Sequence, residues 1–329
     1  MYRTIMVPTD GSGFDREAIR VALRIAELSE AKIKLVRVLS TGSLYGVAAA
    51  SEGTAIAAEV ARSERDKAMN ELYALAAECR MFSKASVSVD LHAGPVEDVL
   101  EAYAQRNDVD LIVISTHART GIARASLGSV TDWLIRHTGI PVLVVKPPIS
   151  YLNPQAGEMF RRIVVPLDGS TLAEQILPPI IRLANLQDAE VILLHVLDAQ
   201  ALSKKDVADL NPAWWEKDIM QAENYLVRMA RRLRRNGVPV RTDIVVSDNI
   251  ATAIGDFALR EKADLVAIAT HGRGGLARML RGSVADTVMH SGRTSMLVLK
   301  PEKLATKESA ISVHWSGAEL ISEQLVNGG

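Results

Sequence analysis

The residues most able to do chemistry lie in the stretch THGRGGLARMLRGSVAD, residues 270 to 286, which holds four glycines and three arginines and no acid before Asp286. Gly272 and Gly282 flank nine residues, and Gly282 is followed directly by Ser283 and Val284. Glycine lets backbone N–H groups approach an anion closely. A helix start supplies unpaired donors and a favourable dipole, so the stretch is a candidate phosphate cradle. A second reading is open on the same residues, because Ser283 and Asp286 have the spacing of a helix-capping box. Nearly the same words occur earlier, as THARTGIARASLGSVTD at 116 to 132. His117 and His271 occupy matching positions in the two stretches, as do Arg119 and Arg273, and Arg124 and Arg278. Each of them fits either a phosphate contact or an ordinary loop residue.

The elements that position these stretches follow from an internal repeat. RTIMVPTDGS at 3 to 12 returns as RRIVVPLDGS at 161 to 170, and KLVRVLS at 34 to 40 as ILLHVLD at 192 to 198. DLIVISTHAR at 110 to 119 returns as DLVAIATHGR at 264 to 273, and PVLVVKP at 141 to 147 as SMLVLKP at 295 to 301. Partners lie 158 residues apart in the first two pairs and 154 in the last two, so a net gap of four falls between them. The repeat divides the chain into a first domain over 1 to 148, a linker rich in proline over 149 to 159, a second domain over 160 to 301, and a tail over 302 to 329. GAELISEQLV within the tail, residues 317 to 326, reads as a short helix.

Within each half, short β-branched runs alternate with longer segments of helical spacing, such as REAIRVALRIAELS at 16 to 29. Strand and helix in alternation imply an α/β fold of two tandem doubly wound parallel sheets, five strands each. The third strands are expected at 85 to 92 and 238 to 246. With a strand order of 3-2-1-4-5, the winding reverses between strands one and four, where open α/β sheets bind ligands. The PTDGS and PLDGS turns, with Asp10 and Asp168, follow strand one; the glycine- and arginine-bearing stretches follow strand four. An aspartate before Gly-Ser is also a turn former, so both readings stand for this pair.

Composition narrows the classes further. The 329 residues are 48% hydrophobic and 23% charged with a formal net charge of -1, a globular mixture without general attraction for nucleic acid or anionic membranes. Aromatic content of 4% argues against base-stacking platforms. Cys79 is the only cysteine, and with no apolar run of membrane-spanning length a cytoplasmic location is expected.

The combination of VPxDGS, THGR, a G-x9-G-S-V spacing and an apolar strand ending in Lys-Pro resembles the universal stress protein family in its tandem two-domain form. The resemblance implies a Rossmann-like fold akin to the adenine nucleotide α-hydrolases and, in the ATP-binding branch, a G-x2-G-x9-G-[S/T] phosphate motif. Carried onto this chain, it implies phosphate contacts at Ala269, Gly272, Gly282, Ser283 and Val284, and at Ser115, Ala118, Gly128, Ser129 and Val130. It implies adenine and ribose contacts at Asp168 and Val196, and at Asp10 and Val38. The first motif glycine is replaced in both halves, by Ser115 and Ala269, and the second is Ala118 in the first half. The second half is therefore the better expected site for ATP, or for ADP or AMP, with Mg²⁺ or Mn²⁺ arriving only on the phosphates. No acid lies between Thr116 and Thr131 or between Thr270 and Ala285, so slow hydrolysis at most is expected. The alternative within the same fold is a stress protein that binds no nucleotide and works through protein contacts. The family's dimer forms through fifth strands, which implies an intrachain pseudo-dimer here, with a homodimer of chains and an unidentified regulatory partner beyond it.

Overall fold

The computed structural model describes residues 1–13, 15–40, 54–115, 128–146, 159–199, 213–270 and 294–301. In the first half the strands are β1 (Thr4–Thr9), β2 (Lys32–Ser40), β3 (Ser86–Gly94), β4 (Leu111–Ser115) and β5 (Val142–Val145). Between them run α1 (Asp15–Ser29), α2 (Thr54–Phe82), α3 (Val96–Arg106) and α4 (Ser129–His137). In the second half the strands are β6 (Arg162–Pro166), β7 (Glu190–Asp198), β8 (Val240–Ser247), β9 (Leu265–Ala269) and β10 (Ser295–Leu299). A 3₁₀ turn at Ala173–Ile176 leads into α5 (Leu177–Asn185), followed by α6 (Ala213–Arg235) and α7 (Ile250–Arg260).

The strand order is β3-β2-β1-β4-β5-β10-β9-β6-β7-β8. Each half therefore has the expected 3-2-1-4-5 order, the second as the mirror sequence of the first. The third strands extend to Gly94 and Ser247, slightly beyond the stretches expected for them. All pairings are parallel except one, where β10 runs antiparallel to β5 with Met296 opposite Val144, Leu297 opposite Leu143 and Val298 opposite Val142. The fifth strands thus join the halves into one ten-stranded sheet, an intrachain pseudo-dimer with no exposed edge at the seam.

Burial on both faces explains the unbroken apolar runs: LIVI in β4 and VLVV in β5 are fully covered. One face, carrying Ile5, Leu35, Val113, Leu143, Leu193 and Leu297, packs on α1, α2, α5 and α6. The other, carrying Met6, Val36, Ile112, Val144, Ile192 and Met296, packs on α3, α4 and α7. Both cores run through both halves. Tyr2 is fully buried and donates its hydroxyl hydrogen to the carbonyl of Pro179 at 3.2 Å, with the Arg182 guanidinium 5.0 Å from its ring centre. Phe160, its counterpart 158 residues on, is equally buried.

Met159 and Phe160, at the end of the expected linker, are buried, and the Met159 N–H donates to Gln187 Oε1 at 2.9 Å. The rest of that linker and the tail lie outside the described residues.

Candidate functional site

The winding reverses where expected, with β1 between β2 and β4 and β6 between β7 and β9. At the carboxyl end of β1 the chain turns through Asp10 and Gly11, and at the end of β6 through Asp168 and Gly169. In each turn the aspartate accepts a hydrogen bond from the backbone two residues on: Ser12 N–H to Asp10 Oδ1 at 2.8 Å, and Ser170 N–H to Asp168 Oδ1 at 3.0 Å. These carboxylates therefore serve as turn formers with one of their oxygens. The glycines that follow take left-handed φ values of +78° and +82°, which explains their presence in both copies.

The two turns are otherwise finished differently. Asp15, buried at the start of α1, accepts from the backbone N–H of Asp10 at 3.0 Å and of Gly11 at 3.3 Å through Oδ2. Its counterpart 158 residues on is Ala173, whose N–H donates to Ser170 Oγ at 3.1 Å. On β2 the Arg37 guanidinium, paired with Glu71 of α2, lies so close to Gly11 that a Cβ there would sit 2.9 Å from Nη1. Among the described residues nothing lies within 4 Å of the same point at Gly169. The register equivalent of Arg37 is His195, whose ring meets Tyr225 of α6 edge to face at 6.2 Å. Burial pushes the His195 pKa down, opposed by the Leu167 backbone and the Asp168 carboxylate. Burial, with the nearby Glu174 carboxylate, holds the Tyr225 phenol well above its usual value. Sequence reading passed over Asp15, Arg37, His195 and Tyr225. The signal available was the repeat itself, since Arg37 and His195 are mismatched partners within an otherwise similar strand.

Val38 follows Arg37 and points to the opposite face, where it packs against the same core as Val130 of α4. Val196 does the same beyond β6. Ser115 ends β4, buried, with no hydrogen-bond partner for its hydroxyl among the described residues. Ala269 ends β9 and is likewise buried. In the first half Asp10, Val38 and Ser115 thus lie at the carboxyl ends of three adjacent strands, and Gly128, Ser129 and Val130 open α4, which follows β4. The second gathers Asp168, Val196 and Ala269. Ala118, Gly272, Arg273, Gly282, Ser283 and Val284 lie outside the described residues.

Gly128 is the N-cap of α4 and Ser129 its first residue; no side chain caps the helix. Ser283 and Asp286, for which the capping-box reading is raised, lie outside the described residues; at the equivalent positions Ser129 is the first helical residue rather than the cap, and Asp132 pairs with Arg136 at 2.8 Å. Among the described residues the first-turn N–H groups of α4 have no side-chain acceptor. Among the described residues no three His, Cys, Asp or Glu side chains gather to hold a metal ion, and no helix is long and apolar enough to cross a membrane.

The repeat and the joined sheet have counterparts in known proteins. A universal stress protein of Mycobacterium tuberculosis is 30% identical over 220 residues, 66% of this chain and 70% of that one. Another, from Mycolicibacterium smegmatis, is 26% identical over 303 residues, covering 90% of this chain and 97% of its own. The crystal structure of a universal stress protein from Archaeoglobus fulgidus superposes with a TM-score of 0.62 over 91% of this chain and 96% of that one, and at 16% identity it shows the shared fold. The family model of the universal stress protein family matches twice, over residues 1–146 and 159–300, so the two five-stranded halves are two copies of one domain. With nearly the whole chain matched in this way, the protein belongs to the universal stress protein family, in its tandem two-domain form.

Proposed function

We propose that this protein is a nucleotide-dependent regulatory module of the stress response that binds ATP, or ADP or AMP, at the strand-one/strand-four reversal, with the second half as the principal site. The observation that supports this reading is the start of α4, the helix that follows the fourth strand, with Gly128 as cap and no side-chain acceptor among the described residues, an arrangement suited to an anion. The same sequence recurs in the second half as Gly282, Ser283 and Val284, there accompanied by Gly272 where the first half has Ala118. Phosphates would meet these residues with Arg273 and Ala269, while Val196 would lie against the base and Asp168 would face the nucleoside. With no acid in either phosphate stretch, Mg²⁺ or Mn²⁺ would arrive on the nucleotide, and hydrolysis would be slow.

The engagement of Asp10 and Asp168 in their own turns favours a second reading, a family member acting through protein contacts alone. Calorimetric titration with ATP separates the two, using Gly272→Val as control. Binding that this substitution abolishes supports the first; no binding at millimolar ATP, or binding indifferent to it, supports the second. Turnover at about 1 per second or faster would refute the binder reading.

A further inference from the structure

The wall beside Val38 differs between the halves. In register, Val38 of β2 lies next to His92 of β3, whereas Val196 of β7 lies next to Val245 of β8. Neighbouring parallel strands are about 4.8 Å apart and in-register side chains share a face, so the imidazole stands directly alongside Val38. Val245 packs into the apolar core beside Val196. His92 is held instead by Tyr103 of α3, ring centres 5.3 Å apart and inclined at 63°, and the Tyr103 hydroxyl is itself fixed by a 2.6 Å hydrogen bond to Asp90 Oδ2. Tyr103 is buried, so the ring that orients His92 is rigid. The Nε2 atom of His92 is buried and has no hydrogen-bond partner among the described residues. A buried imidazole nitrogen left unpaired is costly, and such exceptions call for an explanation.

We propose that His92 is a specificity-determining residue of the first half, presenting Nε2 to the hydrogen-bonding edge of a nucleotide base that lies against Val38. The second half, with Val245 in that place, offers the base only apolar contact. The two halves are then unlike sites in one chain, differing in whether the base beside the strand-two valine meets a hydrogen-bonding side chain or an apolar one. This inference rests on the nucleotide-binding reading above.

The test follows the imidazole ¹⁵N resonances of the full chain during titration with ATP to millimolar concentration, with calorimetry in parallel. His92 is assigned by the signal missing from His92→Val, a substitution that installs the residue of the second half. The expected result is a shift of the His92 Nε2 resonance on ATP addition. His92→Val should weaken the first-half site by about 5- to 10-fold, the effect of one lost hydrogen bond, and leave the second-half site unchanged. ATP binding by calorimetry with an unmoved His92 resonance and unchanged affinities in His92→Val would overturn the inference while leaving nucleotide binding intact. No ATP binding to the wild-type chain would overturn both.

Discussion

The structure predicts that the two halves unfold as one unit, and Tyr2 is the place to test it. Its ring is fully buried in a core that includes residues of both halves, and its hydroxyl ties the start of the first half to Pro179 at the start of α5 in the second. Replacing it with alanine deletes an aromatic ring from a packed interior, a change that costs about 3 to 5 kcal/mol. Tyr2→Phe removes only the hydroxyl and its hydrogen bond to Pro179, whose carbonyl keeps its place in the hydrogen-bond ladder of α5, so it should cost only about 0.5 to 1.5 kcal/mol. If all 329 residues melt together, the entropy of unfolding near the midpoint is about 0.7 kcal/mol per kelvin, so Tyr2→Ala should lower Tm by about 6 °C in a single transition. If the halves melted independently, the entropy per unit would be less than half as large. The same loss would then move one of two transitions by about 13 °C and leave the other in place. Differential scanning calorimetry distinguishes the outcomes directly. Two separable transitions, with only one responding to Tyr2→Ala, would refute the shared core as the unit of folding.

Other expectations follow from single residues. Lys146, at the end of β5, has no hydrogen-bond partner for Nζ among the described residues, and burial pushes its pKa down to about 8. Below that value both folded and unfolded chains carry the charge, and the folded state bears the full desolvation cost; above it the folded amine is neutral while the unfolded one stays protonated. Stability should therefore rise between about pH 7.5 and 9.5 by about 1 to 2 kcal/mol after allowance for partial exposure, measured by urea denaturation. Lys146→Met should raise Tm at neutral pH and abolish that rise, whereas Lys300→Met, which removes a 3.3 Å hydrogen bond to the His137 carbonyl, should not. Gly169→Ala should cost about 1 to 2 kcal/mol from its positive φ alone. Gly11→Ala should cost more, because the new methyl meets Arg37, and Arg37→Ala should bring the two costs level.

Much of the fold was legible in the sequence because it is written locally. The alternation of apolar runs with helical spacing in REAIRVALRIAELS and LIVIS marks elements wherever they finally pack, and α1 at Asp15–Ser29 and β4 at Leu111–Ser115 lie where the pattern puts them. The strand order 3-2-1-4-5, taken as the doubly wound arrangement, is the one each half adopts. The site was legible only in part. The turn aspartates and the Val38 and Val196 positions lie at the carboxyl ends of strands beside the reversal, whereas the capping-box spacing is read at Ser283 and Asp286, which lie outside the described residues.

The sequence by itself determined that this chain is a duplicated α/β domain with Asp-Gly-Ser turns at both reversals, because repeats, periodicity and turn chemistry are properties of neighbouring residues. Only the tertiary structure decided how the two copies differ. Asp15 fills the backbone donors of the first turn, Arg37 with Glu71 closes over Gly11, His195 meets Tyr225, and His92 stands beside Val38 where the other copy has a valine. Asp15 lies within five residues of the donors it fills, but the other partners come from elements tens of residues apart, and those pairings exist only once the sheet has set its register and the helices have packed against its faces.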